Sequence, residues 1–224
     1  MKQTLILGSS SKYRAVLLQQ LRVPFLTASP NIDETPLHDE APRAVAIRLA
    51  RAKAQAVAKN IMQASHAAHV ETANKKTSNE TYIIGSDQVL DLAGEALGKP
   101  HTHDVAVAQL NRLSGKTVHY YTAVCIAKIG ADGHMQFAER CNTITVKYRT
   151  LSAEIIETYL RLDTPYDCAG STKSESLGIA LTESISSTDP TALVGLPLTD
   201  TLTLLAQLGY SIWENMGQAE VKRG

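Results

Sequence analysis

The stretch TLILGSSSKYR, residues 4–14, runs four apolar side chains and a glycine into three serines, and places an arginine where a helical pattern (Ala15, Val16, Leu17, Leu18, Leu21) takes over. A short apolar run bounded by glycine reads as a strand, and the periodic run after it as a helix. The turn between them gathers backbone N–H groups, hydroxyls and the positive end of a helix dipole in one place, which suits a phosphate. Arg14 lies in the first helical turn, where its guanidinium can fork two oxygens. An ordinary serine N-cap with a surface arginine has the same residues, and the stretch alone leaves both readings open.

Working outward, strand patterns fall at residues 4–7, 25–28, 82–84, 118–127 and 142–147, and helical periodicity at 13–21, 42–60, 104–113, 153–162 and 198–208. That mixture is α/β or α+β. Residues 118–127 and 142–147 flank the turn Gly130-Ala131-Asp132-Gly133 and read as a long antiparallel hairpin. Sheets of this mixed kind place ligands beside strand ends. Residues 61–80 are polar and aperiodic, and read as a surface insertion in an otherwise single unit spanning residues 1–224.

Composition narrows the class of function. Lysine plus arginine and aspartate plus glutamate both number 22, a balance without the basic excess that duplex nucleic acid or an anionic membrane attracts. The expected partner is a small molecule. With no apolar run long enough for a signal peptide or a membrane span, the expected compartment is the cytoplasm. Cys125, Cys141 and Cys168 lack metal or redox spacing and read as reduced structural thiols. The pairs His66 with His69 and His101 with His103 read as solvent-exposed rather than as metal ligands.

Three further segments can carry chemistry. Asp33 and Glu34 adjoin in a loop, too far from the helix start at Pro42 to be its cap, and can serve a metal or a lysine. In that helix Val45, Leu49, Ala52, Ala56 and Val57 form an apolar arc with Lys53 near its middle, and a lysine so placed needs a counter-charge or an anionic ligand. In Ile84-Gly85-Ser86-Asp87-Gln88 the glycine lets the backbone approach a ligand, and Asp87 stands at the carboxyl end of a strand, able to hold Mg²⁺ or orient water. Lys99 returns to the same end after an apparent hairpin, and Gly98 leaves room around it. Arg14, Lys53 and Lys99 with Glu34, Asp87 and a serine turn make an inventory suited to a triphosphate and magnesium.

Across nearly its whole length the sequence resembles the Maf family of nucleotide pyrophosphatases. The resemblance rests on Leu7 to Arg14, Asp33-Glu34, Leu49 to Ala54, Ile84 to Gln88, Gly98-Lys99-Pro100, Leu113-Ser114-Gly115, Tyr121-Thr122 and Val194 to Leu198, in that order. It implies an α/β fold of the Maf and ITPase-like kind, with a central mixed β-sheet flanked by helices and two lobes about an active-site cleft. It also implies a divalent metal cofactor, Mg²⁺ or Mn²⁺, a nucleoside triphosphate substrate cut to monophosphate and pyrophosphate, and a homodimer. By resemblance Ser9, Arg14, Lys53 and Lys99 bind the triphosphate, Glu34 supports the metal, and Asp87 is general base and metal contact.

The aromatic Tyr13 before Arg14, Gln88 after Asp87, and Ala-Gly-Ser-Thr-Lys-Ser-Glu at residues 169–175 are similar to the subfamily acting on 7-methyl-GTP; the commoner pattern goes with dTTP and UTP. Tyr13, Gln88, Lys173 and Glu175 are accordingly expected at the base. Glu175 can accept hydrogen bonds from guanine N1–H and the exocyclic amine, a donor pair that pyrimidines lack. N7 methylation makes the base cationic, which favours Glu175 and a stacked Tyr13. Set apart from the family, Glu175 reads as the partner of Lys173 in a surface ion pair. The alternatives are a pyrimidine pyrophosphatase, a nucleotidyltransferase, or a nucleotide-binding regulator of cell division; Gly8-Ser9-Ser10-Ser11 lacks the Gly-x-Gly-Thr-Arg loop expected of a transferase.

Overall fold

The computed structural model describes residues 3–69 and 80–216. Strands β1 (Gln3–Leu7), β2 (Leu26–Thr27), β3 (Glu80–Leu92), β4 (Glu95–Leu97), β5 (Thr117–Ile129), β6 (Met135–Tyr148) and β7 (Thr182–Ser186) form one sheet in the order β2-β1-β3-β5-β6-β7, with β4 paired to β3. The β1–β2 and β1–β3 pairs are parallel and all others antiparallel. Helices α1 (Lys12–Gln19), α2 (Pro42–His69), α3 (His103–Leu113), α4 (Ala153–Asp163), α5 (Leu198–Gln207) and α6 (Ile212–Asn215) complete an α/β fold. Among the described residues no helix is long and apolar enough to cross a membrane.

Period-two alternation gives the central strands two apolar faces. Ile6, Ile83, Ala123 and Cys125 point to α2, while their neighbours Leu5, Leu7, Tyr82, Ile84, Val124 and Ile126 point to a cluster that includes Leu17 and Leu18 of α1 and Leu204 and Leu205 of α5. Each leucine or isoleucine so buried contributes roughly 1.5–3 kcal/mol. On this second face the apolar surface is interrupted. Ser86 and Gln88 follow Ile84, Thr122 lies opposite Gln88, and Asn142 lies opposite Thr122. Beyond that polar stripe a separate cluster resumes with Leu90, Tyr120 and Ile144 under α3 and α4. The stripe is therefore the seam between two lobes.

The edge of β3 is notched at the same level. β1 pairs with it as far as Ile84 and β4 only from Leu90, while β5 covers the opposite edge without a break. Residues 85–89 thus have no strand neighbour on one side. Gly8 donates its amide to the Ile84 carbonyl at 2.8 Å, and the serine turn leaves the sheet at the mouth of this notch.

Several expectations change. The strand expected at residues 82–84 continues through Asp87 to Leu92, because the β5 ladder is unbroken from Thr81 to Asp91; Asp87 sits mid-strand beside a notch, not at a strand's carboxyl end. Helix α2 runs on to His69, so residues 61–69 are not loop; the rest of the expected insertion, residues 70–79, lies outside the described residues, as do the side chains of His66 and His69. The buried face of α2 is the alanine row Ala46, Ala50, Ala54 and Ala58, with Val45, Leu49 and Val57 beside it, whereas Ala52 and Ala56 are half-exposed. His101 is exposed, but His103 is half-buried between the Tyr166 hydroxyl and the Glu157 carboxylate. β7 and α6 were not legible as periodic segments, being five and four residues long.

Candidate active site

The alanine row of α2 explains how a lysine reaches the sheet. Small side chains spaced four apart let the helix backbone settle on β3. A Cβ at Gly85 would stand 2.6 Å from the Ala54 amide nitrogen and closer still to the Ala50 carbonyl oxygen. Gly85 therefore serves the approach of α2, not of a ligand as its sequence context suggested. Settled there, Lys53 is only 4% exposed and its ammonium lies 2.6 Å from Asp87 Oδ1. Glu34 Oε2, from the loop ahead of α2, reaches the same ammonium at 3.0 Å. Burial lifts the Asp87 carboxyl above the ordinary carboxylate range, and Lys53 and Arg14 oppose that rise.

Both readings of the serine turn are realised, on different residues. Ser11 is the N-cap of α1, accepting from the Arg14 amide at 3.4 Å. Ser9 is buried, and its hydroxyl oxygen accepts from the Ser11 amide at 3.1 Å and from Arg14 Nη1 at 3.3 Å. Arg14 Nε donates to the Gly195 carbonyl at 2.8 Å, so the guanidinium is held from both sides of the cleft.

A cavity of about 750 Å³ occupies the notch, within the range of small-molecule sites. Of the ten residues singled out from the sequence, nine line it: Lys53, Asp87, Glu34, Ser9 and Arg14 form one group, and Tyr13 and Glu175 belong to another that includes Asp167 and Cys168. Lys99 is exposed at the wall, free to follow a ligand. Lys12 stands 5.3 Å over the ring of Tyr13, which is half-buried.

Two side chains are placed differently from expectation. Lys173 is not among the residues lining the cavity and does not pair with Glu175: its ammonium donates to the Asp163 and Thr164 carbonyls at 2.7 and 3.4 Å, satisfying the open C-terminal end of α4, while it also reaches the Tyr13 hydroxyl. Gln88 borders the cavity, but its amide nitrogen is engaged by Thr122 Oγ1 at 2.9 Å and by the Ala192 and Leu193 carbonyls at 3.1 and 2.9 Å. Sequence reasoning also passed over Ser86, whose hydroxyl lies 2.8 and 2.9 Å from the Ala123 and Gly195 carbonyls. Asp189 was missed as well. It is fully buried, and burial raises its carboxyl, but bonds from the Thr191 and Thr199 hydroxyls and amides bring it below the ordinary value. An Asp-Pro followed by threonines was the available signal.

The loop carrying Glu175 is tight. Ser176 Oγ donates to Asp163 Oδ1 at 2.6 Å, the Lys173 amide donates to the Tyr159 hydroxyl at 2.9 Å, and a Cβ at Gly178 would stand 2.8 Å from the Lys173 carbonyl carbon. Glu175 projects from this anchored turn with its carboxylate exposed. Cys125, Cys141 and Cys168 are free; burial pushes the Cys125 and Cys168 thiols up to about 12, so both stay protonated at neutral pH.

A mixed sheet notched beside a serine turn, with cations and a carboxylate pair converging on one cavity, defines an α/β protein built to take a small polyanion. The chain belongs to the Maf family, matching the Maf-like protein family over residues 4–208. A 7-methyl-GTP pyrophosphatase of Polaromonas sp. (strain JS666 / ATCC BAA-500) is 48% identical over 214 residues, 96% of this chain and 89% of that protein. One of Cupriavidus metallidurans is 47% identical over 209 residues, covering 93% of this chain and 95% of the relative. A solved nucleoside-triphosphatase / dITP/XTP pyrophosphatase from Mycobacterium abscessus aligns with 67% of this chain and 76% of its own at 14% identity and a TM-score of 0.32, too weak a likeness to bear on function.

Proposed function

We propose that the protein is a nucleoside triphosphate pyrophosphatase that hydrolyses 7-methyl-GTP to 7-methyl-GMP and pyrophosphate. The observation carrying this reading is that one cavity joins the Lys53–Asp87–Glu34 group and Arg14 to a second group formed by Tyr13 and the anchored Glu175. The first suits a triphosphate, the second a purine with two donors and a positive charge. The identity with relatives named 7-methyl-GTP pyrophosphatase supports the same substrate. Three free cysteines agree with work in the cytoplasm, where thiols stay reduced and nucleotides are dissolved.

Arg14, Lys53 and Lys99 neutralise phosphate oxygens, and Arg14 does so from a fixed position because Ser9 and Gly195 hold its other donors. Asp87 accepts the proton of the attacking water as it adds in line to the α-phosphorus and the α–β anhydride bond breaks. Tyr13 stacks on the base and Glu175 accepts from its Watson–Crick edge. A divalent metal fits the carboxylate pair, since Asp87 Oδ1 and Glu34 Oε2 already converge on one cationic centre, the Lys53 ammonium. Mg²⁺ or Mn²⁺ held by these two carboxylates would take its remaining ligands from phosphate and water oxygens. When bound, such an ion supplies charge stabilisation and a more acidic water.

The test is hydrolysis of 7-methyl-GTP, GTP and dTTP with Mg²⁺, resolving monophosphate, pyrophosphate and orthophosphate. Pyrophosphate from 7-methyl-GTP is expected, and orthophosphate as first product would overturn attack at the α-phosphorus. Glu175→Ala is expected to lower the preference for 7-methyl-GTP over dTTP by about 100-fold, because the site loses both acceptors for the base. An unchanged ratio would remove Glu175 from base recognition and leave the phosphate chemistry intact.

The proton-accepting role has a pH signature. Burial holds the Asp87 carboxyl up, so kcat/KM should fall, as pH drops, at a higher pH than an exposed aspartate would give. Lys53→Met removes the strongest influence pulling that value down, and the acid limb should move further towards neutrality in the residual activity. A limb that stays in place would mean that Asp87 is not the titrating group.

A further inference from the structure

Glu34 reaches the buried Lys53 ammonium from a stretch of chain that barely touches the core. Ile32 packs against the cluster under α2, but residues 33–39 are then exposed one after another, and the Glu34 side chain itself is 51% exposed. Such a loop stays ordered only where polar ties stand in for apolar contacts. One side chain near the start of α2 supplies them. Arg48 lays its fork on Glu40, with Nε 2.7 Å from Oε1 and Nη2 2.7 Å from Oε2. Arg48 Nη2 also donates to the Thr35 carbonyl at 3.2 Å, and Glu40 Oε2 accepts from the Leu37 amide at 3.1 Å. A single guanidinium–carboxylate unit therefore ties the loop at residues 35, 37 and 40.

This pair differs from an ordinary surface ion pair. Its two parallel hydrogen bonds fix direction as well as distance, and its side chains are 30% and 11% exposed, whereas those of Lys147 and Glu183 are about half open to solvent. Arg48 and Lys53 also belong to one helix, about 7.5 Å apart along its axis. The loop is thus fastened to the same rigid element that carries its target, and the carbonyl next to Glu34 in the chain is held directly. We infer that Arg48 is a positioning residue: with Glu40 it clamps residues 34–40 to α2 and so keeps Glu34 at the Lys53–Asp87 centre. Arg48 is not among the residues lining the cavity, so it acts through the loop and not on the substrate. This rests on the reading of Glu34 as a carboxylate of the metal and phosphate site.

A double-mutant cycle with a structural readout tests it. Arg48→Lys keeps the charge and loses the fork. In the metal-free, substrate-free protein, hydrogen exchange of peptides covering residues 33–40 is expected to quicken about 10-fold or more while exchange in β3 and β5 stays as in wild type. On 7-methyl-GTP with Mg²⁺, kcat/KM is expected to fall about 10-fold, and in the Glu34→Ala background the same substitution should change it by no more than about twofold. The ratio of 7-methyl-GTP to dTTP hydrolysis should not move, because the base lies with Tyr13 and Glu175. Glu40→Gln should reproduce these results and serves if Arg48→Lys does not fold.

Loop exchange unchanged in both Arg48→Lys and Glu40→Gln would overturn the inference. So would a loss of turnover that adds to that of Glu34→Ala, or a slow Arg48→Lys beside a Glu34→Ala with full turnover, since Arg48 would then act by another route. The cycle can be scored on whichever triphosphate the wild type hydrolyses best. A wild type preferring dTTP would therefore count against 7-methyl-GTP as substrate while leaving the coupling of Arg48 to Glu34 measurable.

Discussion

Asp87→Asn is expected to lower turnover by about 10³-fold, the range lost when a positioned proton acceptor is removed. The substitution keeps shape and volume but takes away a carboxylate buried within the notch, 6% exposed and 2.6 Å from Lys53. Binding should move the other way. Removing a negative charge from beside the triphosphate leaves Arg14, Lys53 and Lys99 less opposed, so the Kd for 7-methyl-GTP measured without metal should stay level or tighten. Lys53 keeps Glu34 at 3.0 Å, which limits the cost of a buried ammonium that has lost its closer partner. Turnover retained within about tenfold would remove Asp87 as proton acceptor. Turnover and binding lost together, with a collapsed melting transition, would mean instead that the ion pair is chiefly structural.

Gly85→Ala is expected to cost about 3 kcal/mol of stability, the upper part of the range for overpacking a closed interface. One methyl group must displace the α2 backbone at Ala50 and Ala54, which no side-chain rotation can relieve. Lys53 is the immediate neighbour of Ala54, so any lift of the helix draws its ammonium away from Asp87 and activity should fall with stability. Urea denaturation measures the first effect and hydrolysis of 7-methyl-GTP the second. Gly98→Ala is the control for stability: nothing lies within 4 Å of its added Cβ, and its unfolding free energy should stay within about 0.5 kcal/mol of wild type. If Gly85→Ala were equally silent, the close seating of α2 on β3 would not be what positions Lys53.

Much of the site was legible because its chemistry is written in residue types that are costly elsewhere. A lysine among alanines and leucines in α2 demanded a partner, and the structure supplies two carboxylates. The serine turn announced itself by its place between a strand and a helix. Side-chain direction was another matter. Strand parity puts Asp87 and Gln88 on opposite faces of β3, but which face meets α2 and which meets the 187–195 segment depends on chain more than thirty residues away on either side. Lys173 misled for a similar reason. A lysine beside a glutamate suggested a shared ligand or a local ion pair, whereas its ammonium goes to the open carbonyls at the end of α4 and to Tyr13.

By itself the sequence determined most of the periodic elements, the mixture of strands and helices and the family, because hydrophobic period and motif order are local properties of the chain. Only the tertiary structure decided that β3 runs past Asp87, that its edge lies open between Ile84 and Leu90, and that Gly85 serves a helix. Those features arise from ladder pairing and backbone contact between distant segments, and a strand carries no mark of where its neighbours stop.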